Sequence, residues 1–270
     1  MTLTTLQLSD PFGCVTYRTA GQGAPLVLLH GVGLQSAAWG PQINALSSGA
    51  RVIALDMPGH GRSDPLPDEP ALPDYVSWLH AVLKALDPGP VDLAGHSMGA
   101  LIAAGYAATY PSQVRRVALL NGVFRRDDAA RAAVQRRAEV IRAGDVDTQA
   151  PLDRWFTDAD KDKASRDLVA GWLSSVDPKG YGDAYAAFAG GDATYADRFP
   201  SITCPLLALT GSEDPNSTPA MSRAMAGAAP RGHAVVIDDA RHMVNLTHPD
   251  RVNLALNTWL TTSEDERETA

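Results

Sequence analysis

Six short and almost entirely apolar runs, spaced along the chain, are the feature that most limits how it folds. In order, they are PLVLLH (25–30), RVIALD (51–56), VDLAG (91–95), RVALLNG (116–122), PLLALTG (205–211) and AVVIDD (234–239). Near-continuous apolar strands are typical of a parallel sheet covered on both faces. Apolar residues at helical spacing, such as Tyr75, Leu79, Val82 and Leu86, lie between these runs. The alternation predicts a doubly wound, mostly parallel α/β sheet.

Both ends and the middle of the chain depart from this pattern. The segments LTTLQL and CVTYRT are separated by the turn signal SDPFG, which predicts an antiparallel start. Between Gly122 and about Phe199 the sequence is typical of several short helices and shows no strand pattern. We therefore predict a core of 1–122 and 200–262 and a helical insertion of 123–199. The acidic segment 263–270 is expected to be disordered.

Composition limits the class of protein and its partners. With 270 residues, 45% of them hydrophobic and 20% charged, the chain is expected to form one soluble domain with an insertion. A net charge of −8 disfavours nucleic acid or an anionic membrane as a partner. A signal peptide and a membrane span are not expected, which leaves the cytoplasm as the expected compartment. Two cysteines, Cys14 and Cys204, are too few for a metal cluster or a disulfide framework.

The segment VDLAGHSMGALIAAG (91–105) contains the candidate nucleophile. Its pattern places Ser97 on a sharp turn between a strand and a helix. Such a turn needs small residues two positions before and after the serine, where Gly95 and Gly99 stand. The serine hydroxyl then lies above the sheet edge, beside the first N–H groups of the helix. Because the G-x-S-x-G pattern also occurs by chance, it needs a base, an acid and a second oxyanion donor.

The segment HGVG, from His30 to Gly33, follows the first parallel strand. Glycines just beyond a strand allow backbone N–H groups to approach a ligand. We predict that the N–H groups of Val32 and Met98 together form an oxyanion hole. A plain glycine turn is the alternative interpretation.

A carboxylate follows the strand PLLALTG, in the loop SEDPNSTP. Asp214 at this position is the predicted acid, because loops at the carboxyl ends of strands are where such sheets form sites. It would accept a hydrogen bond from an imidazole and stabilise the imidazolium that forms during attack. Glu213 is the nearby alternative, and Asp127 and Asp128 are the distant ones.

The last strand is followed by DDARHMVNLTHPD, which contains two histidines. The base should lie on the loop just past the strand, so we predict His242. His248 belongs to THPD, the expected start of the next helix, where Thr247 or Asp250 serves the first turn. The remaining histidines are expected in turn, surface or packing positions: His30, His60, His80, His96 and His233.

The order Ser97, Asp214, His242 is the order found in α/β hydrolases. The segments HGVG, DMPGHGRSD, GHSMG, GSEDPNSTP and ARHMVNLTHPD resemble the landmark motifs of that superfamily in order and spacing. The resemblance covers almost the whole chain. It implies an α/β-hydrolase sheet with a helical cap inserted after the strand that follows the nucleophile helix. It also implies that DMPGHGRSD is a structural loop that shapes the floor of the site.

Two segments of the insertion suggest a branch of the family. PLDRWFTDADKD and GYGDAYAAFAGGDATYADRFPSITCPLLALTG are similar to the cap and exit of 3-oxoadipate enol-lactonases and related small-molecule esterases. The resemblance implies hydrolysis of an ester or lactone through an acyl-enzyme on Ser97. The alternatives are a carbon-carbon bond hydrolase or a cofactor-free perhydrolase with the same triad, and a non-catalytic ligand receptor. His96 stands where carbon-carbon hydrolases often have asparagine, and a serine nucleophile disfavours haloalkane dehalogenases and epoxide hydrolases.

The substrate pocket is predicted from aromatic and cationic residues. The candidates are His30, Trp155, Tyr185 and Arg125, with Arg126, Arg154 and Lys179 as further cations, while Trp172 is expected to pack between cap helices. No metal and no cofactor are expected, since neither ligand clusters nor a dinucleotide fingerprint accompany the triad. A net charge of −8 opposes attraction of an anion, so small neutral esters or lactones are the expected substrates. The sequence leaves the oligomeric state open.

Overall fold

The structure is a computed structural model and describes residues 2–67, 69–144, 147–157 and 162–262. Its strands are β1 (Thr2–Gln7), β2 (Cys14–Ala20), β3 (Ala24–Leu29), β4 (Ala50–Leu55), β5 (Val91–His96), β6 (Val114–Leu120), β7 (Leu206–Gly211) and β8 (Gly232–Ile237). They form one eight-stranded sheet in the order β1-β2-β4-β3-β5-β6-β7-β8. The six apolar runs thus form β3 to β8, with ends that differ from the predicted ones by a few residues.

Strand pairing agrees with the predicted mixture of directions. β1 pairs with β2, and β2 with β4, in antiparallel fashion, whereas all other neighbours are parallel. The doubly wound, mostly parallel sheet with an antiparallel start is therefore confirmed. Because β3, β5, β6, β7 and β8 run in the same direction, the loops that follow them meet at one edge of the sheet.

The helices are α1 (Gly40–Leu46), α2 (Leu72–Leu86), α3 (Met98–Thr109), α4 (Asp128–Arg142), α5 (Gln149–Trp155), α6 (Lys163–Ser175), α7 (Pro178–Gly191), α8 (Pro219–Ala228), α9 (Val244–Thr247) and α10 (Pro249–Thr261). The described residues between β6 and β7 contain α4 to α7 and no strand. We call α4 to α7 the inserted helices. The predicted acidic segment 263–270 lies outside the described residues.

Alternating side chains of the strands divide the core into two layers. In β3, Val27 and Leu29 pack in one layer with α2, α3 and α8, and Leu26 and Leu28 pack in the other with α1 and α10. This alternation is the two-residue period of a strand. None of the described helices has both the length and the apolar character needed to cross a membrane.

The turn from β5 into α3 is closed by backbone contacts. Ser97 has φ of 55° and ψ of −113°, and its N–H donates to the carbonyl of Leu120 on β6 at 2.8 Å. A Cβ atom on Gly95 would lie 2.0 Å from the carbonyl oxygen of Gly99. One on Gly99 would lie 2.3 Å from the carbonyl oxygen of Leu29 in β3. Only glycine allows the helix to start this close to the sheet.

This packing predicts a large stability difference between two glycine substitutions. We expect Gly95→Ala to lower the free energy of unfolding by about 3 kcal/mol, because backbone atoms must move to admit the methyl group. Gly171→Ala is the control, since a Cβ at this exposed position in α6 meets nothing within 4 Å. It should instead raise stability by up to about 1 kcal/mol. Urea unfolding of both variants measures the difference, and equal stability would refute the proposed contact.

Candidate active site

A cavity of about 720 Å³ lies between the carboxyl edge of the sheet and the inserted helices. Val32, Ser97 and His242 line it from the loops after β3, β5 and β8, and Trp155 and Tyr185 line it from α5 and α7. The structure thus brings the predicted nucleophile and the predicted base to the same space. It gives Ser97 an exposed fraction of 7% and His242 one of 3%.

Asp214 holds the ring of His242 from the loop after β7. Its Oδ2 atom lies 2.7 Å from Nδ1 of His242 and also accepts from the side chain of Asn121 at 2.8 Å. The other oxygen, Oδ1, accepts from the N–H groups of Asn216 at 2.8 Å and Ser217 at 3.1 Å. Asn121 was not singled out from the sequence, although it directly follows the apolar run of β6.

The carboxyl of Asp214 stays ionised in this buried position. Burial by itself raises its pKa, but the His242 ring and the donated hydrogen bonds outweigh burial, and the net pKa is lowered. An ionised carboxylate only accepts hydrogen bonds, so Nδ1 of His242 must carry the hydrogen. In the neutral ring, the other nitrogen, Nε2, then has a free lone pair. This is the tautomer that a general base requires.

His96 connects the turn at Ser97 to the loop of His242. Its Nε2 atom lies 2.9 Å from the carbonyl oxygen of His242, and the two rings lie 5.0 Å apart. Because a carbonyl only accepts, Nε2 of His96 carries the hydrogen, while its Nδ1 is buried without a partner among the described residues. Burial lowers the pKa of His96 to about 3, and repulsion from the His242 ring contributes. The predicted packing role of His96 therefore includes a specific bond to the candidate base.

Two more buried histidines fix the loops below the cavity. Nε2 of His30 accepts from the N–H of Met57, and Nε2 of His60 accepts from the N–H of Gly33, both at 2.9 Å. Burial lowers the pKa of both histidines, that of His30 well below its ordinary value. Both rings are therefore neutral and serve as structural acceptors. His60 belongs to DMPGHGRSD, and its bond to Gly33 fits the structural role expected of that segment.

Of the two predicted oxyanion donors, one belongs to a residue that lines the cavity and the other to the residue after Ser97. Val32 lines the cavity, and Met98 follows Ser97 as the first residue of α3. Within the described part of the chain, no acceptor meets the N–H of either residue. Both N–H groups are therefore unpaired within this part of the chain.

The alternative acid and base residues have partners other than the proposed triad. Glu213 faces Arg241 at 4.0 Å, and Asp127 accepts from the N–H of Ala130 as the N-cap of α4. Asp128 faces Arg131 in the first turn of the same helix. His248 is the N-cap residue of α10 and lies 2.9 Å from the Thr247 hydroxyl, and Asp250 lies in the first turn of that helix, as expected.

Two of the four predicted pocket residues line the cavity. The ring of Trp155 stacks on His242, with centroids 5.6 Å apart, and Tyr185 lines the cavity from α7. Trp172 is half-buried against the core and is not among the lining residues, as expected for a packing role.

The predictions for Arg125 and His30 are wrong. The side chain of Arg125 is 54% exposed, pairs with Asp197 and does not line the cavity. It lies just before α4, and its backbone is left-handed, with φ of 46°. His30 is fully buried beneath the cavity floor, where both ring nitrogens bond to the backbone. Lys179, a further predicted cation, pairs with Asp183 on the surface of α7.

Sequence reasoning missed one basic wall of the cavity. Arg136 and Arg137 on α4 line it, together with the predicted cations Arg126 and Arg154. The sequence pattern that could have predicted this wall is in α4. The lining residues of that helix recur at helical spacing: Ala130, Ala133, Val134, Arg137, Val140 and Ile141. Within the described ranges, no group of three or more metal-ligating side chains is placed to hold a metal ion.

Comparison with known proteins defines the class. Residues 24–249 match the α/β hydrolase fold family, and the chain belongs to this family. Over 259 residues it is 49% identical to the (E)-2-((N-methylformamido)methylene)succinate hydrolase of Acinetobacter baylyi. The aligned region covers 96% of this chain and 98% of that relative.

Two solved structures share the architecture at 25% sequence identity. The enol-lactonase from Burkholderia xenovorans superposes with a TM-score of 0.85, covering 96% of this chain and 100% of that one. A thermophilic esterase from Thermogutta terrifontis with malate bound gives the same score, with coverage of 96% and 98%. The chain is therefore an α/β-fold hydrolase, and its relatives act on small molecules.

The buried, neutral state of His96 predicts how stability depends on pH. Unfolding returns this ring to water, where its pKa is about 6.5, so below that pH the unfolded chain binds a proton that the folded chain does not. The free energy of unfolding should therefore fall as the pH falls. Between pH 7 and pH 5, His96 alone should account for about 2 kcal/mol of the loss.

Urea unfolding of His96→Asn at the two pH values measures this contribution. The variant should lose about 2 kcal/mol less than the wild type over this interval. His233→Asn, at an exposed position on β8, is the matched control and should keep the wild-type dependence. An unchanged dependence in His96→Asn would mean that His96 binds protons equally in the folded and unfolded states, which would refute the prediction.

Proposed function

We propose that the chain is a serine hydrolase that cleaves an acyl bond of a small molecule through an acyl-enzyme on Ser97. The observation that carries the proposal is the shared cavity of Ser97 and His242, with Asp214 bonded to His242 at 2.7 Å. A nucleophile, a base and a group that orients the base are the three parts that this chemistry requires. The inserted helices act as a cap over the site.

Each proton in the proposed reaction has a defined path. Nε2 of His242 takes the proton of the Ser97 hydroxyl while Oγ attacks the substrate carbonyl, and Asp214 stabilises the imidazolium. The negative oxygen that forms accepts from the N–H groups of Val32 and Met98. His242 then gives the proton to the leaving group as the carbonyl bond breaks. A water molecule repeats the sequence and releases the acid from Ser97.

The relatives suggest the type of bond that is cleaved. In an enol lactone, the acyl carbon is bonded to an oxygen on a carbon-carbon double bond. In the substrate named for the Acinetobacter enzyme, the formyl group is bonded to a nitrogen that is attached to the methylene carbon. Both substrates thus carry an acyl group on a heteroatom beside a double bond. We propose an enol ester, an enol lactone or an N-acyl enamine as the substrate class of this chain.

The relatives also suggest that the substrate is an anion. Succinate in the name of the Acinetobacter substrate and malate in the Thermogutta structure are both dicarboxylates. Four arginines line the cavity, against two aspartates, Asp127 and Asp147. We therefore propose a carboxylated substrate in place of the neutral esters expected from the net charge.

Replacing each member of the proposed triad should abolish turnover and leave the fold intact. We expect Ser97→Ala, Asp214→Asn and His242→Ala each to lower kcat by at least ~10³-fold, because the three side chains act as one unit. Hydrolysis of p-nitrophenyl acetate and of a carboxylated enol lactone measures the effect.

His248→Ala is the matched control and should retain activity near that of the wild type. Release of one equivalent without further turnover would favour a ligand receptor. Turnover only of vinylogous diketones, or only with peroxide, would favour the carbon-carbon hydrolase or the perhydrolase. Near-normal activity in any of the three triad variants would exclude that residue from the mechanism.

Stacking of Trp155 on His242 predicts a role in substrate selection. Trp155→Leu removes an aromatic wall at the reacting end of the cavity, so relative kcat/KM values among substrates of different acyl size should change at least about tenfold, the effect of roughly 1.4 kcal/mol. Trp172→Leu, outside the cavity, should lower the unfolding temperature with unchanged relative rates. Identical selectivity in Trp155→Leu and wild type would assign Trp155 to packing alone.

A further inference from the structure

The arginines of the insertion fall into two groups by their ion pairs. Eight arginines lie between residues 123 and 191. Five have a carboxylate within 4.0 Å: Arg125 with Asp197, Arg126 with Asp192, Arg131 with Asp128 and Asp192, Arg142 with Glu69 and Asp183, and Arg166 with Asp153. The other three, Arg136, Arg137 and Arg154, have no such partner among the described residues, and all three line the cavity.

Arg137 and Arg154 are the two of these three that are partly withdrawn from solvent. Both are half-buried, whereas Arg136 is exposed at the rim, where water solvates its charge. The Nε atom of Arg154 is fully buried and has no hydrogen-bond partner in the described part of the chain. A guanidinium that loses water without gaining a carboxylate is costly. Among the described residues, Arg154 therefore lacks a hydrogen-bond acceptor, and a ligand in the cavity can supply one.

The two guanidinium groups also act on each other. Burial lowers the pKa of Arg154, and the charge of Arg137 lowers it further, while Tyr185, Tyr181 and Asp147 act in the opposite direction. Like charges that face one cavity repel, and an anion between them removes the repulsion. The chain has a net charge of −8, so acidic residues outnumber basic ones. Most other arginines of the insertion are paired with a carboxylate, and Arg137 and Arg154 are exceptions among the described residues.

A tyrosine hydroxyl completes the set of donors. Nη1 of Arg137 donates to Oη of Tyr185 at 3.1 Å, which leaves the phenolic hydrogen of Tyr185 free to donate to a ligand. The ring of Tyr181 lies 6.0 Å from that of Tyr185 and lines the same wall.

Neither carboxylate of the cavity forms an ion pair with Arg137 or Arg154, because each is hydrogen-bonded to the backbone at the start of a helix. Oδ1 of Asp147 accepts from the N–H groups of Gln149 and Ala150 at the start of α5, at 2.8 and 3.1 Å. Asp127 caps α4 in the same way. Arg126 differs from the pair, because the buried Asp192 neutralises it.

We propose that Arg137, Arg154 and the hydroxyl of Tyr185 form a binding site for one carboxylate group of the substrate. The placement of a substrate rests on the proposed function, and the site itself rests on the unpaired guanidinium groups. Guanidinium groups bind carboxylates through two parallel hydrogen bonds, which fixes orientation as well as charge. The three side chains therefore select for a carboxylated substrate and orient its acyl group toward Ser97 in the same cavity.

Binding without turnover tests the site independently of the reaction. Succinate is titrated by calorimetry into Ser97→Ala protein, alone and combined with Arg137→Gln, Arg154→Gln or Arg125→Gln. We expect succinate to bind, and its Kd to rise about ten- to hundredfold with Arg137→Gln or Arg154→Gln, the usual effect of losing a charged hydrogen bond. Arg125→Gln removes the same charge outside the cavity and should leave Kd unchanged. Arg154→Lys should restore part of the affinity, since it keeps the charge without the planar fork.

Kinetics with the same variants on the Ser97 background test selectivity. The free acid of an enol lactone is compared with its methyl ester, and the ratio of their kcat/KM values should fall at least tenfold in Arg137→Gln and Arg154→Gln and stay constant in Arg125→Gln. No succinate binding, or equal Kd values in all variants, overturns the site. Arginine-dependent binding without turnover of any substrate would refute the proposed function and leave the carboxylate site standing.

Discussion

The close contact of α3 with the sheet is the constraint on which the site depends. Because Gly99 lies against the carbonyl of Leu29 and Gly95 against Gly99, the helix begins within one residue of the end of β5. The residue between strand and helix must then adopt a positive φ, and that residue is Ser97. The N–H bond from Ser97 to Leu120 fixes the turn to β6 as well. The hydroxyl position is thus a consequence of backbone packing across three strands.

The floor of the cavity combines several neutral histidines with one compensated negative charge. Burial keeps His30, His60 and His96 neutral, so each presents one donor and one acceptor at defined places. Asp214 keeps its charge because four donors surround it. His96 joins both parts, because it precedes Ser97 and bonds to the backbone of His242. These bonds between loops oppose the movement of any one of them, which fixes the proposed nucleophile and base relative to each other.

The sequence predicts the core better than the insertion, and the reason is physical. Strands and the turns after them are predicted from local sequence patterns, such as the apolar runs and the glycines around Ser97. The sequence therefore predicts the positions of β3 to β8 and of the residues that follow them. A residue on an amphipathic helix is placed only when the direction of the helix is known. Arg125 lies next to Arg126 in the sequence, yet one faces solvent and the other faces the cavity. Arg137 was missed although it continues the apolar stripe of α4 from Val134 to Ile141.

The net charge of the chain is a poor guide to its ligand for a related reason. It sums all charges, whereas exposed charges more than about 10 Å apart are largely screened at physiological salt. Among the described residues, five aspartates of the insertion are paired with arginines, for example Asp197 with Arg125 and Asp153 with Arg166. Their negative charge is cancelled locally and leaves the cavity wall with an excess of guanidinium groups. Which charges remain unpaired, and where they point, decides what the cavity attracts, and this is why an acidic chain contains a site suited to an anion.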